Sequence, residues 1–215
     1  MPSKNERLLI VDDEPAIRIS LSSMLFQIGY PVRAAENGIA ALIEIRREIP
    51  DMILSDLNMP CMSGFEFLSV VRRRFPAIPV IAMSGAFCGD EVPSGVAADA
   101  FYQKGSDVRS LLKIMESLTP PKWTPVRQPS STTPLFIQRN GHDASGEPYV
   151  TIACPECLRP FNQSIDGSLS AVREANCVHC RNPICYTIVE QVDWAAAQVS
   201  RSREANPDGQ TWLLD

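Results

Sequence analysis

Asp12, Asp13, Asp56, Ser84 and Lys104 are the residues of this 215-residue chain whose types and spacing point first to chemistry. Each ends or directly follows a short apolar run: Leu8 to Val11, Met52 to Ser55, Val80 to Met83 and Ala100 to Gln103. Two adjacent acids and a third carboxylate repel one another unless a cation joins them, and a hard, oxygen-seeking ion such as Mg2+ suits that donor set. A lysine ammonium and the cation together neutralise the oxygens of a transferring phosphoryl group, and a hydroxyl adds one hydrogen bond. The product of such a site is an aspartyl phosphate. Taken singly, these residues have plainer readings as a turn, a solvated lysine and a strand-end cap. Their joint spacing, 43, 28 and 20 residues from Asp13 through Asp56 and Ser84 to Lys104, carries the argument.

The elements that must position them read as repeated βα units around a buried parallel sheet, whose ligands bind beyond the carboxyl ends of the strands. Helical period places Ile17, Leu21, Met24, Leu25 and Ile28 on one face after Glu14-Pro15, with Gly29 as the stop. Ile39, Leu42, Ile43 and Arg46 follow an Asn37-Gly38 entry, Phe65, Leu68, Val71 and Phe75 follow Ser63, and Val108, Leu111, Leu112 and Met115 follow a Ser106 N-cap beside Asp107. The expectation is an α/β fold with a doubly wound, five-stranded parallel sheet and about five helices. Gly89, Pro93 and Gly95 make the fourth crossover helix short or broken. Arg72-Arg73-Arg74 reads as the solvated end of a helix.

Leu9-Ile10-Val11-Asp12-Asp13-Glu14, Asp56-Leu57-Asn58-Met59-Pro60, Met83-Ser84-Gly85 and Phe101-Tyr102-Gln103-Lys104 are the strings by which residues 1–118 resemble the receiver domain of two-component response regulators. The resemblance implies a flavodoxin-like fold and a bacterial, cytoplasmic signalling phosphoprotein that is not itself an enzyme. It implies Asp56 as phosphoacceptor, Asp12, Asp13 and Asp56 as Mg2+ ligands, and Asn58 as a further ligand through its backbone carbonyl. Ser84 and Phe101 would be a switch pair, Lys104 the phosphate partner, and a histidine kinase or phosphotransfer protein the donor. The family's proline after the lysine is Gly105 here, which leaves the placement of the lysine open; if the glycine leaves it loose, Gly105→Pro would raise the phosphorylation rate or the extent of the switch.

From Thr119 the composition shifts to Pro120, Pro121, Pro125, Pro129 and Pro134 among Ser, Thr and Gln, so residues 119–148 read as a Pro-rich linker, with Leu135-Phe136-Ile137-Gln138 as a small strand or docking segment. Within residues 149–195, Cys154, Cys157, Cys177 and Cys180 form two Cys-x2-Cys pairs with 19 residues between them, a spacing suited to tetrahedral Zn2+. Strand-like runs before the first pair and after the second give this segment a resemblance to a zinc ribbon. Metal is favoured over redox chemistry because two pairs occur and no βαβ unit frames them. Arg159 or Arg181, with backbone N–H groups, would offset the thiolate charge, and His179 has a surface or supporting position. Cys61, Cys88 and Cys185 read as buried or incidental thiols. Residues 196–215 form a polar tail containing Trp212-Leu213-Leu214.

Residues 1–118 hold 12 basic and 15 acidic side chains and the remainder 8 and 10, so neither half has the basic footprint of a nucleic-acid binder. No apolar run is long enough to span a bilayer, and reduced cytoplasmic thiols suit zinc. The expected output is interaction with a downstream protein through the zinc module. Two other classes compete: a nucleic-acid-binding regulator using Arg159, Arg173, Arg181, Phe161 and Tyr186, and a metal or redox sensor.

Overall fold

The computed structural model describes residues 6–85, 96–118, 135–138, 141–142, 146–165 and 172–189. Strands β1 (Leu8–Val11), β2 (Val32–Ala35), β3 (Met52–Asp56), β4 (Val80–Ser84) and β5 (Ala100–Gln103) form one parallel sheet in the order β2-β1-β3-β4-β5. Every residue of β1, β3 and β4 is buried because helices cover both faces, which is why these strands read as continuous apolar runs. Leu9, Val11, Ile53, Val80 and Ala82 share a core with α2 (Gly38–Arg47) and α3 (Gly64–Arg74). Leu8, Ile10, Leu54, Ile81 and Met83 share the opposite core with α1 (Pro15–Ile28) and α4 (Val108–Leu118). Among the described residues no helix is long and apolar enough to cross a membrane. The expected fourth crossover helix, Cys88 and the 196–215 tail lie outside the described residues.

Local signals account for the helix ends. Pro15 opens α1, and Gly29, at φ 108, closes it in the left-handed conformation that glycine adopts without strain. The Asn37 side chain accepts the Ala40 N–H at 2.9 Å, and Ser63 Oγ accepts the Glu66 N–H at 3.3 Å. For α4 the capping side chain is Asp107, which accepts the Arg109 N–H at 3.2 Å, rather than the expected Ser106, whose N–H closes a turn onto the Gln103 carbonyl.

Two helix faces differ from those expected. The buried face of α2 is Gly38, Ala41, Leu42 and Ile45, while Ile43 is exposed. Gly38 sets this rotation: a Cβ there would meet the Met62 side chain at 2.8 Å and Phe67 Cβ at 2.9 Å. Helix α3 is buried on more than one face, with Gly64, Glu66, Phe67, Leu68, Val70, Val71 and Arg72 all inaccessible.

Arg72 is therefore not part of a solvated helix end. Its Nη2 lies 2.6 Å from Asp99 Oδ2, with side chains 4% and 2% exposed, and Asp99 also accepts the Val80 N–H. Arg72→Met is expected to strand the Asp99 carboxylate and lower the unfolding free energy by about 3–5 kcal/mol in urea titrations. A loss under about 1 kcal/mol, the scale of an exposed pair, would contradict this assignment.

Among the described residues the C-terminal unit holds two three-stranded sheets. One has the order β10-β11-β6, from β10 (Arg173–Asn176), β11 (Pro183–Val189) and β6 (Leu135–Gln138), and the other β7-β8-β9, from β7 (Gly141–His142), β8 (Pro148–Ala153) and β9 (Pro160–Ser164). β6 and β7 fall inside the stretch expected to be linker. β6 is held there by parallel pairing with β11, Leu135 opposite Tyr186 and Ile137 opposite Ile188. That partner lies some fifty residues away, so local composition does not reveal it.

Candidate functional site

The sheet order puts Asp12, Asp56, Ser84 and Lys104 at the carboxyl ends of four successive strands, β1, β3, β4 and β5. Carboxylate oxygens of Asp12, Asp13 and Asp56 lie within 4.8 Å of one another. Lys104 Nζ bridges two of these acids, 2.8 Å from Asp12 Oδ2 and 2.9 Å from Asp56 Oδ2. Burial opposes the lysine charge, but its hydrogen bonds to Asp12 and Asp56 outweigh that and hold its pKa above the ordinary lysine value. Burial pushes the Asp56 carboxyl up, aided by the Asp12 charge and opposed by Lys104 and the Asn58 N–H. The Leu57 N–H also donates to Asp56 Oδ1, at 2.8 Å. Asp12 is buried and Asp13 exposed, so the acid cluster opens to solvent on one side. Three carboxylates meeting at a partly open mouth fit a hard dication that keeps some of its water.

Ser84 is buried at the end of β4, and its carbonyl accepts the Lys104 N–H at 2.9 Å. Phe101 is buried in the core shared with α2 and α3. Asn58 is exposed and reaches Asp56 through its backbone N–H. Lys104 lies against both acids without a following proline. Gly105 has φ +85, a value closed to proline, whose ring holds φ near −65°. Gly105→Pro is thus expected to slow Asp56 labelling by displacing Lys104, and an unchanged or faster rate would refute this placement.

Sequence reasoning missed two neighbours of this site. Arg18 Nη1 donates to the Asp12 carbonyl at 2.6 Å. Gly64 approaches so closely that a Cβ would lie 1.9 Å from the Asp56 carbonyl oxygen. The glycine directly after the Ser63 cap was the available signal for the second.

In the C-terminal unit the Cys pairs occupy the loops between β8 and β9 and between β10 and β11, and the two loops are built alike. Leu158 N–H donates to the Cys154 carbonyl and Arg181 N–H to the Cys177 carbonyl, both at 2.8 Å. Leu158 and Arg181 adopt left-handed φ values of 55 and 64. A proline, Pro160 or Pro183, starts each return strand, so the repeated signal in the sequence was Cys-x2-Cys-x2-Pro. Cys154 and Cys180 sulfurs are 3.6 Å apart, and those of Cys157 and Cys177 3.7 Å. Those separations are far longer than a disulfide and match the edge of about 3.8 Å in a tetrahedron of Zn–S bonds of about 2.3 Å. Burial pushes the Cys154 and Cys157 thiols up. For Cys177 burial is outweighed by the N–H groups of Cys180 and His179, which bring it down to about 7. His179 stays outside the tetrad, its Nε2 3.1 Å from the Pro160 carbonyl, and so ties one loop to the other. Cys61 is exposed, and Cys185 is half-buried outside the tetrad.

Five parallel strands in this order, with an acid cluster and a lysine at their carboxyl ends, define a doubly wound α/β domain with a candidate cation site. Residues 8–115 match the response regulator receiver domain, and the chain belongs to that family. It is similar to the response regulator protein FleR of Pseudomonas aeruginosa, 33% identical over 112 residues covering 51% of this chain and 24% of that protein. Response regulator Rre1 of Synechocystis is 33% identical over 116 residues, 52% of this chain and 50% of that one. Among solved structures, response regulator TrrA of Thermotoga maritima, in complex with Mg2+ and BeF, is 30% identical with a TM-score of 0.49, covering 53% of this chain and 99% of that one. The chain spans from about a quarter to under two thirds of the length of the first curated relatives it matches.

Proposed function

We propose that this chain is a two-component response regulator whose Asp56 accepts a phosphoryl group from a histidine kinase or histidine phosphotransfer protein. The observation that carries this is the Lys104 ammonium bridging Asp12 and Asp56, with Asp13 beside them, at the strand ends. An Asp56 carboxylate oxygen forms a bond to phosphorus as the donor's nitrogen–phosphorus bond breaks, and the imidazole nitrogen leaves with the electron pair. Lys104 holds the phosphoryl oxygens, and the Ser84 hydroxyl donates to one of them. Asp12, Asp13, Asp56 and the Asn58 carbonyl would hold Mg2+, which when bound neutralises charge that the acids and the phosphoryl group share. Phe101 completes the switch by following Ser84.

Cys154, Cys157, Cys177 and Cys180 would hold Zn2+ in a ribbon-like unit, where the metal supplies folding free energy. The output is contact with a downstream protein. Phe161 and Tyr186, two aromatic residues that could stack on bases, are buried, which argues against their use in nucleic-acid binding. Mg2+-dependent uptake of phosphoryl from acetyl phosphate, seen as a hydroxylamine-labile gain in intact mass, tests the acceptor reading. The absence of uptake from both acetyl phosphate and a phosphorylated kinase would overturn it.

A further inference from the structure

Two neighbouring acids of the cluster are placed by different means. Asp12 is buried, its Oδ1 accepts the Glu14 N–H at 3.0 Å, and its Oδ2 is in ion-pair contact with Lys104 Nζ at 2.8 Å. Asp13 is exposed, so the course of its own backbone, rather than packing, sets where its carboxylate stands. That backbone leaves β1 at Val11 and enters α1 at Pro15. Within the turn, the Asp12 N–H donates to the Ala35 carbonyl of β2 at 3.1 Å, and the Asp12 carbonyl accepts Arg18 Nη1 at 2.6 Å. The Asp12 carbonyl shares one rigid plane with the Asp13 N–H and Cα, because the peptide bond does not twist. Fixing the direction of that oxygen therefore fixes the direction in which Asp13 leaves the strand.

Arg18 is itself anchored. Its own N–H donates to the Glu14 carbonyl at 3.0 Å, and its half-buried side chain lines a cleft of about 320 Å3 together with Glu36, Glu44 and Arg47. Arg47, the other arginine of that cleft, pairs with Glu44. Resting on the acceptor reading above, we propose that Arg18 is a positioning residue of the cation site: through the Asp12 carbonyl it sets the Asp12–Asp13 peptide, and with it the exposed acid, before any ion arrives. Preorganisation of this kind raises affinity by removing an ordering cost from the binding step. Charge acts with the opposite sign, since a guanidinium near the cluster repels a dication. Anchoring dominates here because solvent screens the charge of a half-exposed guanidinium, whereas the hydrogen bond it makes is direct and charge-assisted.

The test uses the full chain and Mn2+ as the probe, the free ion being read by electron paramagnetic resonance. Mg2+ is added as competitor, since hard oxygen sites take it and thiolates do not. Arg18→Met, which keeps the apolar stem and removes the donor, is expected to weaken binding of both ions about ten-fold. Arg18→Lys, which keeps a charge and a donor, is expected to fall between that variant and wild type, and Arg47→Met to match wild type. In nitrogen-15 relaxation of the metal-free proteins, the Asp13 amide is expected to gain fast motion in Arg18→Met while the Val11 and Leu25 amides stay as rigid as in wild type. An arginine that only stabilised the fold would not produce that local signature. Equal affinity in Arg18→Met and wild type overturns the inference and leaves the acceptor reading intact, as does tighter binding that fades with added salt. An equal loss in Arg47→Met overturns the assignment to Arg18. Failure of wild type to bind either ion overturns the cation site of the acceptor reading and this inference with it.

Discussion

Asp56→Asn is expected to reduce phosphoryl uptake from a small phosphodonor to background, because it replaces the one carboxylate that lies against both Lys104 and the backbone N–H groups of Leu57 and Asn58. The amide is nearly isosteric and leaves β3 buried as before, so a loss of labelling reports chemistry rather than folding. Asp13→Ala is expected to keep the fold, since Asp13 is exposed, and to abolish the Mg2+ dependence by removing one of three acids from the cluster. Intact mass and circular dichroism on the three proteins separate these outcomes. Labelling that persists in Asp56→Asn would move the acceptor to another residue.

Replacing Cys157 or Cys177 is expected to change the zinc content from one ion per chain to none and to unfold the C-terminal unit. Apparent binding free energies of structural zinc are about 10–16 kcal/mol, comparable to or larger than the whole stability of a small domain. Apart from the Cys tetrad, its two three-stranded sheets are held by buried apolar residues that include Val150, Ile152, Ile184 and Ile188. Asp56 labelling is expected to survive, because the core between the five-stranded sheet, α1 and α4 contains no residue of the C-terminal unit, and the opposite face keeps its packing against α2 and α3. Protein purified under reducing conditions that contains no zinc and still protects the amides of β8 and β11 would refute the metal reading.

Much of the architecture was legible in the sequence for local reasons. A strand buried on both faces must be apolar throughout, so β1, β3 and β4 appear as unbroken runs. Asn37, Ser63 and Gly29 mark helix ends through bonds and torsions within a few residues of themselves. The acids, the lysine and the two Cys pairs stood out because each chemistry demands particular atoms at particular places, and the structure brings each set together.

What remained hidden depends on partners distant in the chain. Periodicity reports that α2 and α3 have apolar faces, but it does not say that Met62 and Phe67 rotate α2 about Gly38, or that β6 covers a second face of α3. Arg72 looks like one of three solvated arginines until Asp99, 27 residues on, is seen beside it. The lysine's position stayed open in the sequence for the same reason: the groups that hold it, the Ser84 carbonyl and two carboxylates, come from other strands. The sequence by itself determined which strands form and which side chains can do chemistry, since those follow from local pattern and functional-group identity. Only the tertiary structure decided how the two halves meet, because the α3–β6 seam is made of long-range packing that no local pattern encodes.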